Sequence, residues 1–459
     1  MEKKGERMKE RSNKGKAFGR RQFLAGAATA AMVGGMPAMA SADGKRETED
    51  RPYEVGEPCL QAPAETSMGV CWAVSHLTNG WVEYGLRDDL SDAKAIVCEG
   101  TPGITGFDEY AVRVRLENLR PATKYYYRTV SQQIFYEDNY HRSYGRKIVG
   151  AVHAFETLGA SQRAHFCVIN DTHAQWPQFK MVVDKVKELG PAAAVWNGDA
   201  GHFNEDPQTS VNIYLKPDGS EDFSTDVPYF WVNGNHDFRG IWNRYLDRFV
   251  MTRLPTERSS RDWALVRNFA VRLGEMAMIG LDTGEDKPDR HPQFCGLVTS
   301  EAYRVAQAAW LADVLERPDV KSAPFVVAFL HIPIFDPDPS AHPGDVTDDG
   351  GGKYSTDYAH WQKQCRDLWS PILERHGVQL VVAAHQHRYR YDAPAADRSW
   401  AQIVGGGCEL GIGEKGEPDD GRFPTVVEGK VEGGMLAVTV HDVHKKRVAG
   451  AFRYPPRKI

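Results

Sequence analysis

The run Tyr229-Phe230-Trp231-Val232-Asn233-Gly234-Asn235-His236-Asp237 decides how the rest of the chain is read. Four apolar residues have the length of a buried strand, and the strand stops in a cluster of amide, imidazole and carboxylate side chains. The same grammar recurs on both sides of it. Phe166 to Ile169 is followed by Asn170-Asp171-Thr172-His173, and Ala192 to Trp196 by Asn197-Gly198-Asp199. Phe325 to Leu330 ends at His331-Ile332-Pro333, and Leu380 to Ala383 leads to Ala384-His385-Gln386-His387. A sixth apolar run, Met276 to Leu281, lacks such an ending. Helical stripes lie between the runs: Phe179, Val182, Val183 and Val186, closed by Gly190-Pro191; Val305, Trp310, Leu311, Val314 and Leu315, ended near Pro318; and Trp361, Cys365, Leu368, Trp369 and Ile372. This alternation predicts an α/β core of largely parallel strands covered by helices, with ligand sites at the carboxyl ends of the strands. A lone Asp-x-His or His-x-His is commonly a solvated turn. Five such endings on one sheet bring Asp171, His173, Asp199, Asn235, His331, His385 and His387 towards a single pocket, whose mixed imidazole and carboxylate donors suit Zn, Mn or Fe better than Ca or Mg.

Towards the N-terminus the period changes. Met68, Val70, Trp72 and Val74 alternate with small or polar residues, as do Tyr110, Val112, Val114 and Leu116, then Tyr125 and Tyr127. Short alternating strands over residues 51–158 predict an antiparallel β-sandwich. The stretch from Leu119 through Pro121 to Tyr127 resembles the strand entry with a tyrosine corner of fibronectin type III-like domains. The expected architecture is thus multi-domain: an all-β sandwich over 51–158, followed by an α/β sandwich of two sheets flanked by helices over 159–459. The last runs, Met435 to Val440 and Val448 to Phe452, are expected to complete its second sheet.

Composition bounds the function. With 459 residues, 41% of them hydrophobic and 26% charged, the chain is long enough for two or three cored domains. Residues 1–21 hold nine Lys/Arg against three Glu, so the net charge of -6 hides a considerably more acidic remainder, which argues against sequence-independent binding of duplex DNA. Residues 1–40 read as an address: Arg20-Arg21 precede Phe23-Leu24, a weakly apolar Ala/Gly stretch and Ala38-Met39-Ala40. They resemble a twin-arginine export signal, which implies a periplasmic or extracellular protein without a transmembrane helix in the mature chain. Seven cysteines without a Cys-x-x-Cys pair support neither a zinc ribbon nor a redox dithiol.

The ordered motifs, from Asp-x-His and Gly-Asp through Gly-Asn-His-Asp and His to His-x-His, resemble those of the calcineurin-like metallophosphoesterases. The sandwich in front, and Gln307 to Leu311 before the fifth strand, make the layout similar to the purple acid phosphatases and their bacterial relatives. The resemblance implies two divalent or mixed-valence metal ions, Zn, Mn or Fe. One would be held by Asp171, His173, Asp199 and His387, the other by Asp199, Asn235, His331 and His385. It implies hydrolysis of phosphate esters by a metal-bound hydroxide, with His236 near the leaving-group oxygen, where a general acid contributes about 10²–10⁴-fold.

Two departures from the purple acid phosphatases stand out: His173 replaces their glycine, and His202 occupies the place of their colour-giving tyrosine. Arg239 and Arg388 neighbour the motifs and are candidate phosphate contacts, as are His202 and His342. His342 lies in Asp336 to Asp357, a loop rich in aspartate and glycine beside His331 that reads equally as a substrate lid or a solvated insertion. Small phosphate esters are the expected partners. Phosphomonoesters, nucleotide or glycerol phosphodiesters, and a noncatalytic exported binding protein with a structural metal site are the readings that remain open.

Overall fold

The computed structural model describes residues 52–251, 265, 267–337, 357–408, 410 and 421–458, with side chains from 363 onward in the helix that starts at 357. The expected export signal, His342, most of its loop and the side chain of Trp361 lie outside the described residues.

The first hundred described residues form β1 (Cys59–Gln61), β2 (Met68–Ala73), β3 (Thr78–Gly85), β4 (Lys94–Val97), β5 (Ala111–Leu116), β6 (Lys124–Tyr136), β7 (Arg142–Val149) and β8 (His153–Glu156), with in–out alternation clearest in β3 and β6. The inward members, Val70, Trp72, Val112, Val114, Tyr125 and Tyr127 among them, form one core between β1-β2-β5 and the sheet β4-β3-β6-β7, with β8 on β6. The Tyr125 hydroxyl accepts the Arg120 N–H at 3.0 Å, the tyrosine corner expected at the entry to β6.

The second half contributes β9 (His165–Ile169), α1 (Trp176–Leu189), β10 (Ala193–Asn197), α2 (Pro207–Tyr214), β11 (Tyr229–Val232), β12 (Phe269–Leu273), β13 (Met276–Leu281), α3 (Ser300–Leu315) and α4 (Pro318–Lys321). After them come β14 (Phe325–Leu330), α5 (Asp357–Arg375), β15 (Leu380–Ala383), β16 (Arg390–Asp392), β17 (Ala401–Val404), β18 (Thr425–Glu432), β19 (Met435–Asp442) and β20 (Arg447–Tyr454). All six apolar runs are strands. Helix α1 buries the expected stripe and stops where Gly190 turns left-handed, φ 58°.

Two sheets pack face to face. Phe166, Val168, Val195 and Phe230 of one meet Met278, Val327, Phe329 and Val382 of the other, with the Phe166 and Phe329 rings 5.2 Å apart. The outward residues of the same strands, Cys167 and Ile169, pack against Val182 and Val186 of α1. On the far side Ile279 and Val326 meet Leu311 of α3 and Trp369 of α5. Each strand is therefore buried on both faces, which is why the runs read as continuous rather than alternating; each fully buried Val, Leu or Phe contributes about 1.5–3 kcal/mol.

Three expectations need correction. Met435 to Val440 and Val448 to Phe452 belong, through β18, to the sheet of β9, β10 and β11, in the order β20-β19-β18-β9-β10-β11-β1-β2-β5. The same order shows that the sandwich shares a sheet with the α/β part: β1 pairs in parallel with β11 at Gln61 and Tyr229. In α3, Val305 is 52% exposed, because Arg304 and Gln307 turn inward to donate to the Thr283 and Asp282 carbonyls. Those buried carbonyls need donors, and a valine has none.

Candidate metal centre

Strands β9, β10 and β11 run parallel, as do β14 and β15 in the facing sheet, so their carboxyl ends open on the same side. The seven expected ligands all sit just beyond those ends. Asp171 and His173 follow β9, Asp199 follows β10, Asn235 follows β11, His331 follows β14, and His385 and His387 follow β15.

The backbone bends hard to present them. Asp171, His173, Asp199, His385 and His387 have φ of 45°, 42°, 53°, 70° and 52°, a left-handed conformation that costs a non-glycine residue about 1 kcal/mol or more. Strain gathered on five side chains of one pocket is held there by the rest of the fold. His173 N–H donates to the Asp199 carbonyl and Ala384 N–H to that of His331, so the loops brace one another. Ala384 is fully buried without hindering this bond. Gly234 has no such freedom: a Cβ there would come within 2.5 Å of the Asp199 nitrogen.

Two donor groups result, and Asp199 belongs to both. In the first, His173 Nε2 and His387 Nε2 stand 3.2 Å apart, with Asp171 Oδ1 at 3.9 and 3.4 Å and Asp199 Oδ2 3.6 Å from His173. In the second, His331 Nε2 lies 3.1 Å from Asp199 Oδ2, and His385 Nδ1 is 2.9 Å from Asn235 Oδ1. Donor atoms bonded at about 2.1 Å to one cation lie about 3–4 Å from each other, the range of both groups. Asp171 Oδ1 is buried without a hydrogen-bond partner, and Asp199 Oδ2 and His331 Nε2, equally buried, face only one another within the cluster. Orphaned acceptors at one point are the mark of a cation site, because each would otherwise bear a desolvation cost of about 1–3 kcal/mol.

The electrostatics agree. Burial holds the imidazoles of His173 and His385 down to about 3, which keeps their lone pairs open. His331 is buried too, yet the Asp199 and Asp171 carboxylates beside it raise it to about 10. Its Nδ1–H donates to the Asn197 carbonyl at 2.8 Å, which aims Nε2 at Asp199.

His236 borders the centre without joining the shared groups. Its Nδ1–H faces the His202 carbonyl at 3.2 Å, and its Nε2 accepts from Arg239 at 3.1 Å. The ring of His173 stands edge-on to it, 4.9 Å away. His202 is exposed and stacks on His173 at 4.6 Å, forming with His173 and His236 a third cluster of nitrogens. Arg239, expected to be a phosphate contact, binds both oxygens of Glu285 at 3.1 Å and Asp286 at 3.2 Å and also touches the His236 ring. Arg388 is exposed next to His387.

Sequence reasoning missed the supports. Asp237 accepts from the Asp199 and Gly234 N–H groups and from the Tyr214 hydroxyl, all at 2.9 Å, and so ties the β10 and β11 loops together. Asn170 donates to Asp171 Oδ2 at 2.6 Å. Glu285 and Asp286 follow β13, the one strand without ligands, whose acidic ending was a signal that had no assigned partner.

Comparison with known proteins matches residues 164–389 to the calcineurin-like phosphoesterase family and residues 58–142 to the purple acid phosphatase N-terminal domain. A purple acid phosphatase from yellow lupin (Lupinus luteus) seeds superposes with a TM-score of 0.57 at 13% identity, over 88% of this chain and 75% of that one. A structure of PhoD superposes with a TM-score of 0.55 at 12% identity, over 88% of this chain and 92% of that one. At these identities the likeness is one of fold.

Proposed function

Because the chain carries a calcineurin-like phosphoesterase domain behind a purple acid phosphatase N-terminal domain, we propose that it hydrolyses phosphate esters with two metal ions, and, from its leading residues, that it works outside the cytoplasm. The family makes the chain a metal-dependent phosphoester hydrolase. The observation that carries the two-metal reading is the pair of donor groups sharing Asp199. In this reading Asp171, His173, Asp199 and His387 hold one cation, and Asp199, Asn235, His331 and His385 the other. Two cations so placed supply charge to clamp the oxygens of an in-line phosphoryl displacement and acidify a water at neutral pH.

The chain's own residues do the rest. Asp199 can sit between both groups because Asp237 fixes its backbone, while its Oδ1 is occupied by the His236 N–H at 2.9 Å. In this reading His236, its Nδ1 kept on the His202 carbonyl, delivers a proton to the leaving oxygen from Nε2 once that nitrogen is protonated and parts from the Arg239 guanidinium. Arg239, braced by Glu285, sets the tilt of that ring.

Turnover of a panel of mono- and diesters by metal-reconstituted protein tests the proposal. Activity that rises with bound metal supports it; two bound cations with no turnover of any ester would favour a noncatalytic binding protein. Export rests on Arg20-Arg21 and the mild apolar stretch after them. Changing both arginines to lysine should leave the precursor in the cytoplasm, and normal export of that double variant would refute this part.

A further inference from the structure

Beside the centre opens a cleft of about 910 Å³ that the mechanism above leaves unused. It begins at His236: Phe203, with its ring 6.3 Å from that imidazole, and Arg239, in contact with it, both line the cleft. Phe238, Ile241, Phe294 and Leu297 continue the wall. Phe203, Ile241 and Leu297 are 51%, 63% and 86% exposed. Single exposed apolar side chains need no explanation, but three around one cavity next to a reactive centre mark a binding surface.

The cations of the cleft point the same way. Arg239, Arg244 and Arg267 line it against Glu205 and Glu285. Arg267 lies over the Phe238 ring at 5.1 Å and Arg244 over Tyr245 at 4.7 Å, so both rest on aromatic faces. Arg239 is paired with Glu285 and Asp286, so Arg244 and Arg267 are the cations that the cleft adds beside its apolar wall.

We propose that this cleft receives the leaving group of the ester and selects large apolar or aryl alcohols over small polar ones. The inference rests on the phosphoesterase reading, since it takes His236 as the residue nearest the leaving oxygen. Water adds to phosphorus and gives up a proton to solvent, the ester P–O bond breaks, the leaving oxygen takes a proton from His236, which regains one from solvent, and the free alcohol is left in the cleft beside Phe203. An aryl group there removes apolar surface from water on both partners, whereas a glycerol group removes little.

The test compares 1-naphthyl phosphate with glycerol 2-phosphate on zinc-reconstituted protein, and separately measures binding of 1-naphthol by its fluorescence. In the Ile241→Ser/Leu297→Ser double variant, both positions being exposed, the naphthyl-to-glycerol ratio of kcat/KM should fall about tenfold, mainly through KM, and naphthol should bind more weakly. An unchanged ratio with unchanged naphthol binding would overturn the inference. If the native protein binds naphthol but hydrolyses neither ester, the phosphoesterase reading fails and with it the role given to the cleft. If it hydrolyses both esters but binds no naphthol, only the cleft assignment fails.

Discussion

Strand β9 carries a histidine and carboxylate cluster at each end, and the two behave in opposite ways. At its start, His165 Nε2 meets Glu428 Oε1 at 3.0 Å and His441 Nε2 meets Glu428 Oε2 at 3.1 Å, so each carboxylate oxygen has its own imidazole. Hydrogen bonds from His165 and His441 hold Glu428 well below the usual carboxylate range. Beyond its end, Asp171 keeps a buried oxygen without a partner, Asp199 shares its buried oxygen only with His331 of the same cluster, and both aspartates are left-handed. Residue types are the same at both ends, so composition cannot tell a structural cluster from a metal centre. Unmet acceptors and stored backbone strain can.

If the far end is the working one, the largest effect should come from its shared carboxylate. Asp199→Asn removes the charge common to both donor groups, and activity should fall by on the order of 10³-fold or more, as several kcal/mol of charge stabilisation are lost. His236→Ala should cost about 10²–10⁴-fold on esters with poor leaving groups and much less on those with good ones, while metal content stays near native. An equal loss on both ester classes would show that His236 does not deliver the proton.

A spectroscopic prediction sharpens the departure at His202. The nearest downstream tyrosine, Tyr214, gives its hydroxyl to Asp237, and His202 stacks on His173. Protein loaded with iron and oxidised should therefore show no intense visible band, since imidazole and carboxylate donors offer no phenolate. A strong purple colour would mean that a tyrosine enters the site.

The smallest effect belongs to the self-satisfied end. Glu428→Gln should leave metal content and kcat near native and lower stability at neutral pH by about 2 kcal/mol, the scale of hydrogen bonds to a buried charge. Because the folded state depresses the carboxyl, its contribution is complete above the unfolded value of about 4.3 and is lost as pH falls through the lower folded value. The gap between native and variant protein in chemical denaturation should hence close below about pH 4. A gap that does not depend on pH would mean that Glu428 acts by packing alone.

Much of this was legible in the sequence, and the reasons are local. The doubly buried runs and the period-two segments name their own strands, and the side chains at the carboxyl ends of five runs name the centre because the topology of parallel strands puts those ends together. What was not legible depends on pairing between distant residues. Nothing in Gln61 announces that its neighbour is Tyr229, or in Glu428 that it faces His165. Nor does Arg239 announce its partners Glu285 and Asp286, which lie more than forty residues away and follow a run without expected ligands. Val305 kept the helical period while Arg304 and Gln307 broke it, and only the buried carbonyls beneath them explain the exchange.

Metal stoichiometry tests the central claim most directly. The native protein and Asp199→Asn, each saturated with zinc, freed of excess and checked for native secondary structure, would be assayed for bound zinc by elemental analysis. Two donor groups that share one carboxylate predict two zinc ions per native chain and at most one in the variant. Two ions retained by Asp199→Asn would contradict the shared-carboxylate centre.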